Sequence, residues 1–223
     1  MAIESAPPIV DVPRLAIKRK PKPVPKVAVV PPKPATVAVS PRELEPRLVR
    51  KKMTREEYER LPEKPKAEWV NGEAIIMMAP ANLKHSDTMS ELIVLLKNSL
   101  PKLKVRPEAG FRYGQRDRVP DIMVVTPEKA GTDVWVTEAP EIIVEVISPG
   151  TRTQDLVTKS LEYLEAGVGQ YWIVDPKLEA ITILQHNDKA WDILAELDKE
   201  NSEAEIAVGK FGSVKVNVAE VFA

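Results

Sequence analysis

Apolar positions from Met53 onward fall into two rhythms, and the change between them marks the elements. Thr54 followed by Glu57 has the spacing of a capping box and predicts a short helix over Arg55–Arg60. AEWV and EAIIMM, separated by Asn71-Gly72, predict a β-hairpin whose turn needs positive φ, closed by Pro80. Met89, Leu92, Ile93, Leu96 and Leu100 recur at three- and four-residue steps and predict an amphipathic helix over Lys84–Leu100, stopped by Pro101. Short strands follow at Leu103–Arg106, Ala109–Tyr113 and Arg118–Thr126, the last ended by Pro127. The run EIIVEVI over 141–147 is nearly all apolar and reads as a strand buried on both faces. Thr151 and Gln154 open a second helix, Arg152–Ala166, with Gly167 as its C-cap. QYWIVD is a further central strand. ITILQH and WDILAEL form a hairpin, and Ala204–Val208 with Ser213–Val216 another, before a final short turn. This order predicts a mixed α/β domain, a central sheet with helices packed on it.

Residues 1–50 break the pattern. They hold 11 of the 21 prolines, no Gly, Phe, Tyr or Trp, and 10 basic against 4 acidic side chains. Proline fixes φ and removes donors, so the segment is expected to be a disordered, extended tail in front of a domain over 51–223. Its charge of +6 is masked in the total of -1, because the remaining residues sum to -7. The bland role for such an arm is a solvated spacer; the functional one is weak contact with nucleic acid, an anionic surface or a proline-binding partner.

Composition removes several classes of function. There is no Cys, so disulfide frameworks and thiolate zinc sites are excluded. This fits a cytoplasmic location. With only His85 and His186, a multi-histidine metal site is excluded as well. No apolar run is long enough to span a membrane, and MAIESAPPIV lacks a signal-peptide pattern. No G-x-S-x-G elbow and no P-loop are present.

Two acids stand where burial is expected. Asp121 opens the strand of VPDIMVV, and Glu145 lies inside IIVEVI. A carboxylate in a buried strand costs several kcal/mol, on the order of the penalty for any buried ion, unless it is paired or binds a cation. The plain alternative is a strand-end acid open to water. Lys159 shares a helix face with Leu156 and Tyr163, and can either snorkel to water or point at the same cleft; Asp155, one turn back, is a competing partner. Two acids and a lysine would together favour Mg²⁺ or Mn²⁺ over zinc and suit phosphodiester hydrolysis.

PDIMVV followed by PEIIVEVISPGTRTQDLVTKSLEYLEAGVGQYWIVDP resembles the Uma-type restriction endonuclease family of the PD-(D/E)XK nuclease superfamily. EWVNGEAIIMMAP and KHSDTMSELIVLL upstream resemble it too, so that the likeness covers about residues 53–200. The resemblance implies a restriction-endonuclease-like core with flanking helices, carrying added hairpins here. It implies a metal-dependent DNA endonuclease in which Asp121 and Glu145 hold Mg²⁺. The lysine usually two positions after the glutamate would fall at Ile147, so Lys159 is the replacement the resemblance offers. Glu68 reads either as an outer metal ligand or as an ordinary strand residue. His85 reads either as an active-site base or as a structural histidine. A homodimer is the expected assembly. The competing class is a nuclease fold kept as a non-catalytic interaction module, favoured by the displaced lysine and the acidic body.

Overall fold

The computed structural model describes residues 48–61, 66–77, 83–131, 134–148 and 154–223. Backbone contacts divide the chain after Pro41, and everything described belongs to the unit Arg42–Ala223. The expected tail up to residue 47, Pro80, and the cap at Thr151 lie outside the described residues.

Two six-stranded sheets and a separate two-stranded hairpin replace the single central sheet expected from the pattern. The first sheet is built around the anticipated hairpin of β2 (Ala67–Val70) and β3 (Glu73–Met77). Asn71 and Gly72 take φ of 49° and 87°, the left-handed pair that a two-residue turn requires. β1 (Leu48–Lys52) pairs antiparallel with β3, so Leu48–Arg50, which composition groups with the arm, form the start of an edge strand. Thr54 and Glu57 close the capping box on α1 (Arg55–Glu59) in both directions.

The second sheet has α2 (Leu83–Ser99) on one face, where Leu92 and Leu96 are fully buried. Its inner strands are β7 (Ile122–Val125), β9 (Ile142–Val146) and β10 (Gln170–Asp175). Ile142, Val144 and Val146 of β9 join the core with α2, while Ile143 points to the opposite core with Tyr163 and Tyr171. Period-two alternation therefore buries β9 on both faces, as its apolar run predicts. It also directs Glu145 to the Ile143 side. β9 and β10 are parallel and are joined through a helical crossover. That crossover is a π-helical segment, Gln154–Lys159, running into α3 (Ser160–Glu165), not the uniform α-helix expected.

One predicted strand is divided. Arg118–Thr126 was expected to be continuous, but β6 (Arg116–Arg118) belongs to the first sheet and β7 to the second. Pro120 explains the break: it lacks the donor a ladder needs, and the chain leaves one sheet there and enters the other. β4 (Lys104–Pro107) borders β7, and β5 (Gly110–Tyr113) lies between β6 and the unpredicted β8 (Trp135–Val136). β11 (Ala180–Asn187) and β12 (Ala190–Leu197) extend the second sheet. β13 (Glu203–Ala207) and β14 (Ser213–Asn217) form the last hairpin, ahead of α4 (Val218–Val221). Among the described residues, no helix is long and apolar enough to cross a membrane.

Candidate active site

The two sheets meet where the chain passes through Val119-Pro120, and charged side chains from both converge there. β7 and β9 pair antiparallel with Ile122 opposite Val144. Extending that register by one residue puts Asp121 across from Glu145. The backbone N–H of Val146 donates to Asp121 Oδ2 at 2.8 Å, which fixes the aspartate beside the end of β9. Asp121 and Glu145 are buried at 5% and 2% exposure, so neither is a strand-end acid open to water.

Each acid has its own cation. Lys66, just before β2, donates to Asp121 Oδ1 at 2.9 Å. His85 Nε2 on α2 lies 3.3 Å from Asp121 Oδ2. Burial raises the Asp121 carboxyl, but the His85 contact and the charge of Lys66 outweigh it and hold the group well below the usual carboxylate range. Lys159 Nζ lies 2.9 Å from Glu145 Oε1 and 3.4 Å from Glu68 Oε1. The lysine is itself buried, so it does not snorkel. Tyr163, one turn further on, donates its hydroxyl to the same Glu145 oxygen at 2.7 Å. Burial, then the negative charge of Glu145, pushes the Tyr163 hydroxyl far above its ordinary range, so it stays a donor.

Glu68 is locked from three directions. Arg118 Nη1 donates to Oε2 at 2.7 Å, the Val119 N–H donates to Oε1 at 3.1 Å, and Lys159 approaches the same oxygen. Burial pushes Glu68 up, but Lys159 and Arg118 pull harder and bring it down to about 2. Arg118 also grips Glu162 with a two-pronged bond, Nε to Oε2 at 2.7 Å and Nη2 to Oε1 at 2.9 Å. That clamp ties α3 to β6 and thereby sets the position of Lys159.

The structure thus brings together all five residues singled out from the sequence. Asp121 and Glu145 face each other across the ladder, Lys159 joins Glu145 to Glu68, and His85 backs Asp121. The side chain of Asp155, the competing partner for Lys159, lies outside the described residues. Sequence reasoning missed Lys66, Glu162 and the part played by Arg118, and named Tyr163 only as a neighbour of Lys159 on its helix face. Glu162 and Tyr163 carried a usable signal: they follow Lys159 at three and four residues, the spacing of one helix face. Lys66 carried none, since its contact spans 55 residues of chain.

Among the described residues, no three His, Cys, Asp or Glu side chains converge as a ready metal cage. The donor chemistry still fits Mg²⁺, which often takes one or two protein carboxylates and fills its shell with water and phosphate oxygens. Arg116 Nε also lies 3.6 Å from Glu162 Oε1, so the four carboxylates of Glu68, Asp121, Glu145 and Glu162 face four permanent cations, Lys66, Arg116, Arg118 and Lys159.

The Uma2 family, described as "Putative restriction endonuclease", matches residues 55–209. The chain belongs to the Uma2 family. The match includes every residue of the cluster and every strand of the two six-stranded sheets except β1. No curated protein matches this Uma2 chain. A crystal structure from Anabaena variabilis, titled as a putative nuclease belonging to DUF820, aligns with a TM-score of 0.63 at 21% identity. The alignment covers 75% of this chain and 96% of the other. At that identity the likeness establishes a shared fold. The mixed α+β, nuclease-like architecture implied by the sequence resemblance is therefore present, and family membership supports a nuclease.

Proposed function

We propose that this Uma2 protein is a metal-dependent endonuclease that hydrolyses DNA phosphodiester bonds. The observation that carries the reading is the pairing of Asp121 with Glu145 across one ladder, with Lys159 delivered to Glu145 from the following helix. Asp121 and Glu145 would hold Mg²⁺ or Mn²⁺. Such an ion supplies polarisation of the phosphoryl oxygen and acidifies water. The chain's own groups do the rest. Lys159 orients the attacking water and offsets charge developing on the phosphoryl group. Tyr163 holds one Glu145 oxygen, leaving its rotamer fixed. Glu68 acts by positioning the Lys159 ammonium, and Arg118 with Glu162 holds the helix that carries it. His85 and Lys66 fix the Asp121 carboxylate. We further propose a homodimer that works in the cytoplasm, with the basic arm of residues 1–50 adding attraction for DNA that the acidic domain lacks.

One observation favours the second reading, a non-catalytic binding module. Both Asp121 oxygens and Glu145 Oε1 already accept hydrogen bonds within the protein. The test is cleavage of supercoiled plasmid in Mg²⁺ or Mn²⁺ by the parent, Asp121→Asn and Glu145→Gln, with metal binding followed by calorimetry. Cleavage by the parent alone supports the nuclease. Absence of both cleavage and metal binding in the parent supports the module.

A further inference from the structure

Among the described residues, the two six-stranded sheets end in four edge strands, and three of them are short or rich in lysine. β1 reads LVRKK and carries consecutive basic side chains. β8 has two residues. β4 has four and ends in Pro107. Lysine, proline and brevity are among the devices by which natural sheets avoid pairing at an edge, beside bulges and charge. β12 has no lysine or proline and is not short, though it carries a bulge and two exposed acids, Asp192 and Glu196. It runs eight residues, AWDILAEL, with Ile193 61% and Leu194 45% exposed. Trp191 on the same strand donates its indole N–H to the Ser160 carbonyl. It thus links this edge to the turn of helix where Val157 and Leu161 are also exposed.

We propose that β12 is a homotypic interface at which two copies of this chain pair antiparallel, merging their second sheets. The charge pattern points to a second copy. Asp188-Lys189 precedes the strand and Asp198-Lys199 follows it, with Lys199 Nζ exposed and also 2.8 Å from Glu179 Oε2 of its own chain. A twofold axis at Ile193–Leu194 sets Asp188 opposite Lys199 of the other copy and Lys189 opposite Asp198, each pair occurring twice. The apolar pair Ile193 and Leu194 then meets itself at the centre.

The face pattern of β12 agrees with this register. A bulge interrupts its pairing with β11: Ile193 lies opposite Leu184, Ala195 lies opposite Ile183, and Leu194 is the extra residue. Trp191 opposite His186 and Glu196 opposite Thr182 therefore share one face, while Asp192 and Ala195 share the other. An unbulged strand paired about a point between two residues would set opposite faces against each other. The bulge removes that conflict, so Trp191 lies beside Glu196 of the second copy on a common face. The inference is independent of the chemistry proposed for the cluster.

Sedimentation of the full chain tests it. The parent is expected to be a dimer. Ile193→Lys combined with Leu194→Lys should give a folded monomer with the parent's circular dichroism spectrum, since both side chains are exposed. Leu178→Lys, at an exposed apolar residue in the β10–β11 turn, should remain dimeric. Lys189→Glu should weaken the dimer by setting a like charge opposite Asp198 of the other copy. A monomeric parent overturns the proposal, and so does a dimer untouched by the Ile193/Leu194 double substitution.

Discussion

Lys159 and Glu145 lie 14 residues apart on different elements, yet Nζ and Oε1 are separated by 2.9 Å in a buried setting. The contact depends on the crossover: β9 ends, the chain returns as a π-helical segment, and Lys159 is its last residue. π-Helical turns often accompany functional sites because they redirect a side chain within a helix. Here the inward residues are Lys159, Glu162 and Tyr163, while Leu156, Val157 and Leu161 remain at the surface.

Lys159→Met should destabilise the protein by about 3–5 kcal/mol at neutral pH, because Glu145 and Glu68 lose a shared buried cation. Thermal melts at descending pH provide the check. The deficit against the parent should shrink in acid, where the orphaned carboxylates can take up protons.

Arg118→Ala should cost a similar amount, about 3–5 kcal/mol, by leaving Glu68 and Glu162 without their common partner. Arg118→Lys should recover only part of it. A single ammonium cannot reproduce the fork on Glu162 together with the bond to Glu68. Chemical denaturation of the three proteins measures the difference.

Acid should unfold the protein through this cluster. Glu68 is lowered from 4.5 to about 2, and Asp121 is lowered too, so both bind protons more weakly folded than unfolded. Their stabilisation is complete above the unfolded carboxylate range. It is lost as pH falls from about 4.5 towards 2. Denaturant midpoints across that window should fall steeply for the parent and less steeply for Glu68→Gln.

Gly110→Ala should destabilise by about 1–3 kcal/mol through overpacking. A Cβ there would clash with Trp135 Cε3, and the Arg112 guanidinium stacks on the same indole at 4.7 Å. The melting temperature would report the change.

Much of this arrangement was legible in the sequence because it depends on local pattern. The Asn71-Gly72 turn, the Thr54–Glu57 box and the spacing of Leu92 and Leu96 each follow from neighbours a few residues away. Asp121, Glu145 and Lys159 were visible as charges set in apolar surroundings. What escaped depends on distance in the chain. The contact of Arg118 with Glu68 spans 50 residues and that of Arg118 with Glu162 spans 44. β1 was hidden because a basic edge strand has no alternating apolar face to announce it. The division at Pro120 was hidden because β6, all charged, has no apolar pattern to mark it as a strand of its own, although the proline itself was in view.

The role given to Lys159 is the part of the mechanism that departs furthest from the usual nuclease motif, and single-turnover cleavage of DNA in Mg²⁺ tests it most directly. Parent and Lys159→Met are compared at a temperature where both are folded, beside Lys159→Met carrying Ile147→Lys, which returns a lysine to the usual strand position. Lys159→Met should cut at least about 100-fold more slowly, the scale of a lost electrostatic contact to the developing charge, while the double variant regains part of the rate. A folded Lys159→Met protein that cleaves as fast as the parent would contradict the assignment.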